Sequence, residues 1–154
     1  MSSEADAAYR RFAADVGTWR GRERLPDPQG GGEVLAEAWS HARLICQERI
    51  LITEYRQTVD DEVVMEGHSV TTWAPSLDAV VMYFFDGSGE PPSVYRGGYQ
   101  GDALVLEGPG PEGSRIRHRT THPAPDRMRT ISTMSFDGGG TWMEIFQGEY
   151  ERDD

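Results

Sequence analysis

The sequence contains no lysine, so all fifteen of its basic residues are arginine. This excludes a Schiff-base nucleophile and a lysine general base, and leaves a side chain that stays protonated and favours anions and carboxylates. Basic charge is scarce as well: 26 acidic residues outnumber the arginines, for a net charge of -11. Nucleic acid, which needs a concentrated basic surface, is therefore not an expected partner. A lone cysteine, Cys46, rules out an intramolecular disulfide. No apolar run approaches the length of a membrane span or a signal-peptide core, so no membrane partner and a cytoplasmic setting are expected. No period repeats and no stretch has the composition of a disordered linker. The 154 residues fit one domain, 1–154, able to bury a core without metal or disulfide staples.

What is present is mostly strand and turn. Residues 3–16 carry the one convincing helical pattern, with Ala5, Ala8, Tyr9, Phe12, Ala13 and Val16 on a narrow face, a Ser3/Asp6 capping pair at the start and Gly17 at the end. From Trp19 onward short strand-like segments are predicted at 18–25, 34–45, 49–59, 62–73, 78–86, 93–100, 103–107, 114–121, 127–136 and 141–150. Their breaks include Pro26-Asp-Pro-Gln-Gly-Gly-Gly32, Gly87-Ser-Gly-Glu-Pro-Pro92 and Gly108-Pro-Gly-Pro-Glu-Gly113, all too short for crossover helices. The clearest hairpin is the last, where two strands rich in Thr, Ile, Phe, Trp and Tyr flank Asp137-Gly-Gly-Gly140, whose glycines reach the positive φ of a tight turn. An antiparallel meander of about eight to ten strands leaves two exposed edges unless it closes. An all-β barrel is thus the predicted architecture, with a two-sheet sandwich as the alternative.

Gly17-Thr-Trp19-Arg-Gly21, directly after the helix, resembles the Gly-x-Trp opening of lipocalin-like barrels. Leu51-Ile-Thr-Glu-Tyr55, Glu66-Gly-His-Ser-Val-Thr-Thr-Trp73, Tyr83-Phe-Phe-Asp86, Pro91-Pro-Ser-Val-Tyr-Arg-Gly97, Met134-Ser-Phe-Asp-Gly-Gly-Gly-Thr-Trp142 and Gly148-Glu-Tyr-Glu-Arg152 follow in an order similar to DUF1579, a bacterial family of unknown function. The likeness spans about Phe12 to Arg152. It implies a lipocalin-like, calycin-type barrel preceded by a helix, with an internal cavity and no assigned reaction. Trp73-Ala74 stands where relatives commonly have Tyr-Asp, and Phe84 where they tend to have Trp, so the cavity lining is expected to be particular to this chain.

Candidate chemistry is dispersed. His41, His68, His118 and His122 lie on different segments without close ligand spacing, so no metal and no cofactor is expected, and no histidine follows His122 to serve haem from the last hairpin. His68 and His118 each sit mid-strand, more simply structural than catalytic. Arg115, Arg117 and Arg119 share one strand face, most simply a solvated one, or an anion clamp if it points inward. Asp86, closing an apolar strand, is balanced between a cavity mouth and the opening of a Gly-Ser-Gly turn. The density of aromatics is the strongest binding argument. Trp39, Tyr55, Phe84, Trp142 and Phe146, with His118, are the candidate ligand contacts.

The expectation is a barrel holding a small, largely apolar molecule, the chain being a monomer or homodimer. The competing expectation is a cofactor-free enzyme in the same cavity, an isomerase, cyclase or lyase acting on a polyketide-like substrate. Its candidates are His68 as base, Asp86 as base or orienter, Tyr95 as acid and Arg117 as anion clamp.

Overall fold

The computed structural model describes residues 3–27 and 29–153; Pro28, in the first predicted turn, lies outside them. The chain begins with helix α1 (Ser3–Phe12) and a 3₁₀ turn (Ala13–Asp15). Ten strands follow: β1 (Gly17–Pro26), β2 (Glu33–Ile45), β3 (Ile50–Val59), β4 (Glu62–Ala74), β5 (Ala79–Asp86), β6 (Ser93–Gln100), β7 (Ala103–Pro109), β8 (Arg115–Ala124), β9 (Arg127–Ser135) and β10 (Met143–Arg152). Each pairs antiparallel with its neighbours in sequence, and β1 also pairs with β10, which closes the barrel and removes both edges.

Register fixes which side chains face inward. Trp19, Gly21 and Glu23 on β1 lie opposite Ser40, Ala38 and Ala36 on β2, and Ala38 and Ser40 lie opposite Gln57 and Tyr55 on β3. The pattern continues round the wall through Gly67, Ser69 and Thr71, then Val80, Met82 and Phe84, then Tyr95 and Leu106, to His118, Ser132, Phe146 and Tyr150.

The helix plugs one end. Its narrow alanine-rich stripe lets Ala8 and Phe12 descend onto Ala42, Leu51, Val80, Tyr95 and Leu106, and this packing forms the core. A second device locks the plug. Trp19 is 1% exposed and donates its indole N–H to the Asp15 carbonyl at 2.9 Å, while the Arg152 guanidinium lies 4.4 Å from the ring centroid. Arg152 also donates to the carbonyls of Val16, Ala14 and Pro125. The last residue of the last strand thus ties the barrel to the 3₁₀ turn that leaves the helix. Nearby, His122 Nε2 sits 2.9 Å from Asp15 Oδ1 but is not aligned for a hydrogen bond.

The closing connection departs from the tight turn predicted for it. Seven residues, 136–142, separate β9 from β10, and Asp137 organises them. Its carboxylate accepts from the Ser135 hydroxyl at 2.8 Å and from the Thr141 N–H and hydroxyl at 2.8 and 2.6 Å. These bonds, those from Thr141 first, hold its carboxyl well below the usual carboxylate range. Gly138 and Gly139 do adopt positive φ, 74° and 103°, within this larger loop.

A candidate ligand-binding lumen

Eight strands enclose a space that side chains just fill, and ten enclose more. Much of the inner wall here is small: Ala36, Ala38, Ser40, Thr53, Ser69, Thr130 and Ser132 share the inward face with several glycines. The larger rings lie along the wall. A methyl group at Gly67 would come within 2.5 Å of Phe84 Cζ, one at Gly108 within 2.6 Å of Tyr95 Cδ1, and one at Gly148 within 2.1 Å of the Tyr150 hydroxyl oxygen. Only glycine permits such close approach, and its effect is to let three aromatic rings lie close against the wall. Phe84, Ile116, His118, Met134 and Phe146 remain partly exposed although they face inward. The total accessible surface, 9370 Å², exceeds the roughly 7,800 Å² expected of a solid globule of this mass.

Two polar groups interrupt this wall. Glu23 is fully buried and accepts hydrogen bonds from the Tyr55 hydroxyl at 2.5 Å, the Gln57 amide at 2.8 Å and the Tyr150 hydroxyl at 2.6 Å. Burial, then the charge of Glu23 and its hydrogen bond, push both tyrosines above their ordinary range. On β8, His118 Nδ1 pairs with Ser132 Oγ at 2.7 Å, and the Tyr95 ring meets the imidazole edge-on at 4.6 Å. Burial lowers the His118 pKa to about 4, so the imidazole is neutral at physiological pH. Its Nε2 makes no hydrogen bond among the described residues.

The candidates read from the sequence are thereby divided. Tyr55, Phe84, Tyr95, His118 and Phe146 face inward. His68 faces outward between Glu54 and Phe85. Asp86 is exposed at the end of β5, where bonding from Ser88 lowers its pKa and accounts for it as a turn residue. Arg117 lies on the outer wall, 3.5 Å from Glu107 and 3.9 Å from the centroid of Trp142, which places Trp142 outside too. Strict alternation would have put Trp142 and Phe146 on one face, but a bulge between Glu144 and Phe146 reverses the parity. Trp39 faces outward, stacked on His41 and covered by Arg56. The proposed catalytic quartet of His68, Asp86, Tyr95 and Arg117 does not converge.

Sequence reasoning missed Glu23, Gln57, Ser132 and Tyr150. Glu23 was masked by its flanking Arg22 and Arg24, although alternation from Trp19 through Gly21 marks its face. Ser132 gains meaning only from the register that sets it opposite His118. Outside, a solvent-open groove of about 650 Å³ runs over β5 to β8, lined by Val81, Tyr83, Val94, Arg96 and Arg115. Among the described residues no group of three His, Cys, Asp or Glu side chains could hold a metal ion, and no helix is long and apolar enough to cross a membrane.

A closed ten-strand antiparallel barrel plugged by an N-terminal helix defines a lipocalin-like fold. More particularly, the chain belongs to the family described as Protein of unknown function (DUF1579), which it matches over residues 4–152. No curated protein is significantly similar in sequence. Among solved structures, the fold is similar to that of Rv2717c from M. tuberculosis, with a TM-score of 0.65 and 14% identity over 96% of this chain and 98% of that one. It is likewise similar to the S-type phycobiliprotein lyase CPES from Guillardia theta, with a TM-score of 0.64 and 13% identity over 99% of both chains. A barrel named EF1p2_mFAP2b, solved bound to DFHBI, gives a TM-score of 0.51 and 12% identity over 95% of this chain and 99% of its own. At these identities the likeness is one of fold.

Proposed function

We propose that this protein binds a small, largely apolar and flat molecule inside its barrel. The observation that carries the reading is the glycine-backed placement of Phe84, Tyr95 and Tyr150, which keeps three aromatic rings close against the inner wall, beside a run of small inward-facing side chains. The neighbours that bind DFHBI or act as a phycobiliprotein lyase support a small-molecule occupant. The test is a fluorescence and thermal-shift screen of planar apolar compounds against the wild-type protein and Ser69→Phe, whose added ring would project into the lumen beside Phe84. Hits that raise the melting temperature and disappear in Ser69→Phe are expected. A protein that binds none, or binds them equally when blocked, would defeat the proposal.

One observation favours a second reading, cofactor-free acid–base catalysis in the same lumen. His118 is a neutral imidazole oriented by Ser132, with Tyr95 beside it and Nε2 free of hydrogen bonds among the described residues. On this reading His118 serves as base, whereas His68 and Arg117 face outward and Asp86, opposite Gly67, lies exposed at the end of β5. His118→Gln should then retain ligand binding while losing turnover of a cyclisable, polyketide-like substrate; unchanged turnover would reject this reading.

A further inference from the structure

Resting on the lumen-binding reading, we propose that the barrel selects its occupant by charge as well as shape: the ligand is a planar cation, such as a protonated aromatic amine or heteroaromatic base, drawn by the buried carboxylate of Glu23.

Charge is distributed unevenly across the wall. Glu23 is 0% exposed, and its three partners, Tyr55, Gln57 and Tyr150, are all neutral donors. Donors at both oxygens serve the ionised carboxylate, which has only acceptors to offer. Among the described residues no cation pairs with it. Of the twelve arginines on strands, only Arg152 shares the inward parity, and it sits at the plugged end, committed to the carbonyls of Ala14, Val16 and Pro125. The others, among them Arg22 and Arg24 on either side of Glu23, face outward. His118 does not offset the charge, being neutral.

The neighbouring groups add to the same polarity. The hydroxyls of Tyr55 and Tyr150 donate to Glu23, so what their oxygens can still offer is lone pairs. The faces of Phe84, Tyr95 and Tyr150 carry the negative side of the aromatic quadrupole, which attracts cations. A carboxylate left without a counter-charge in a poorly polarisable wall exerts a field that water screens little. The lumen therefore favours a positive guest over a neutral one of equal shape and disfavours a negative one.

Three tricyclic probes of similar size separate the possibilities: 9-aminoacridine, a cation at neutral pH; 9-anthracenemethanol, neutral; and 9-anthracenecarboxylate, an anion. The cation is expected to bind about ten-fold or more tightly than the alcohol, and the carboxylate more weakly than either. Glu23→Gln, which removes the charge and turns one acceptor into a donor, should weaken cation binding far more than alcohol binding and so bring the ratio of the two affinities close to one. A general attraction of cations to an acidic protein would survive Glu23→Gln and fade in salt. The wild-type preference is therefore also measured at about 0.05 M and about 0.5 M salt, a comparison that needs no variant to fold; a buried charge predicts that the preference persists. Equal binding of cation and alcohol, a preference that survives Glu23→Gln, or one abolished by salt would overturn this inference while lumen binding stands. Failure of all three probes to bind would overturn both.

Discussion

Replacing Arg152 by alanine should destabilise the barrel more than any other single arginine change, because this side chain bridges the strand that closes the barrel and the segment that plugs it. Its guanidinium lies 4.4 Å from the Trp19 ring centroid and bonds to the carbonyls of Val16, Ala14 and Pro125. A cation–π contact over a buried indole contributes about 1 kcal/mol. The charged bond to Val16, in a half-buried position, adds about 1.5 kcal/mol, and the contacts with the exposed carbonyls of Ala14 and Pro125 add a few tenths per carbonyl because water can replace them. The total is about 3 kcal/mol. With a urea slope of about 2 kcal/mol/M for a domain of this size, the unfolding midpoint should fall by about 1.5 M at unchanged slope. Arg152→Lys keeps the charge near Trp19 but cannot span the three carbonyls, so it should recover about 1 kcal/mol. Urea titrations followed by tryptophan fluorescence and by circular dichroism measure both variants. A loss below about 0.5 kcal/mol for alanine, or a lysine variant equal to wild type, would refute the bridging role.

Three further outcomes follow from the lumen. His118 has its folded-state pKa lowered to about 4 by burial, so between pH 6.5 and 4 the unfolded chain binds a proton that the folded one does not; stability falls as pH drops through that window, by up to about 3 kcal/mol, and His118→Phe should lose correspondingly less between pH 7 and pH 4.5 in urea titrations. Tyr55, Tyr99 and Tyr150 are all raised, chiefly by burial, so spectrophotometric titration should show three of the six tyrosines silent until alkaline unfolding; six ionising together near pH 10 would contradict the burial. Glu23→Leu strands the donors of Tyr55, Gln57 and Tyr150 and should cost about 3 kcal/mol or more by urea titration, whereas Glu23→Gln, keeping shape and an acceptor, should cost about 1 kcal/mol.

Much of the fold is legible because turn residues punctuate it. Gly, Pro and Asp clusters mark nearly every strand boundary, and the short connections allow only antiparallel neighbours. Facing is harder to read. β5 is apolar on both sides, and its outward Val81, Tyr83 and Phe85 look no different in sequence from inward Val80, Met82 and Phe84. At β10 a single bulge moves Trp142 outside while Phe146 stays within, and nothing in the local residue types announces an inserted position. The Glu23 cluster joins four residues from β1, β3 and β10, so it exists only once the barrel closes. Hence the vessel could be recognised from its sequence, while the polar points of its interior could not.

The most direct test of lumen binding is an NMR experiment on the wild-type protein with bound 9-anthracenemethanol, recording intermolecular nuclear Overhauser effects to side-chain methyl groups. Contacts to Met82, Ile116 and Met134, which line the inner face, are predicted. Contacts instead to Val81 and Val94, in the outer groove, would place the site outside the barrel and contradict the account.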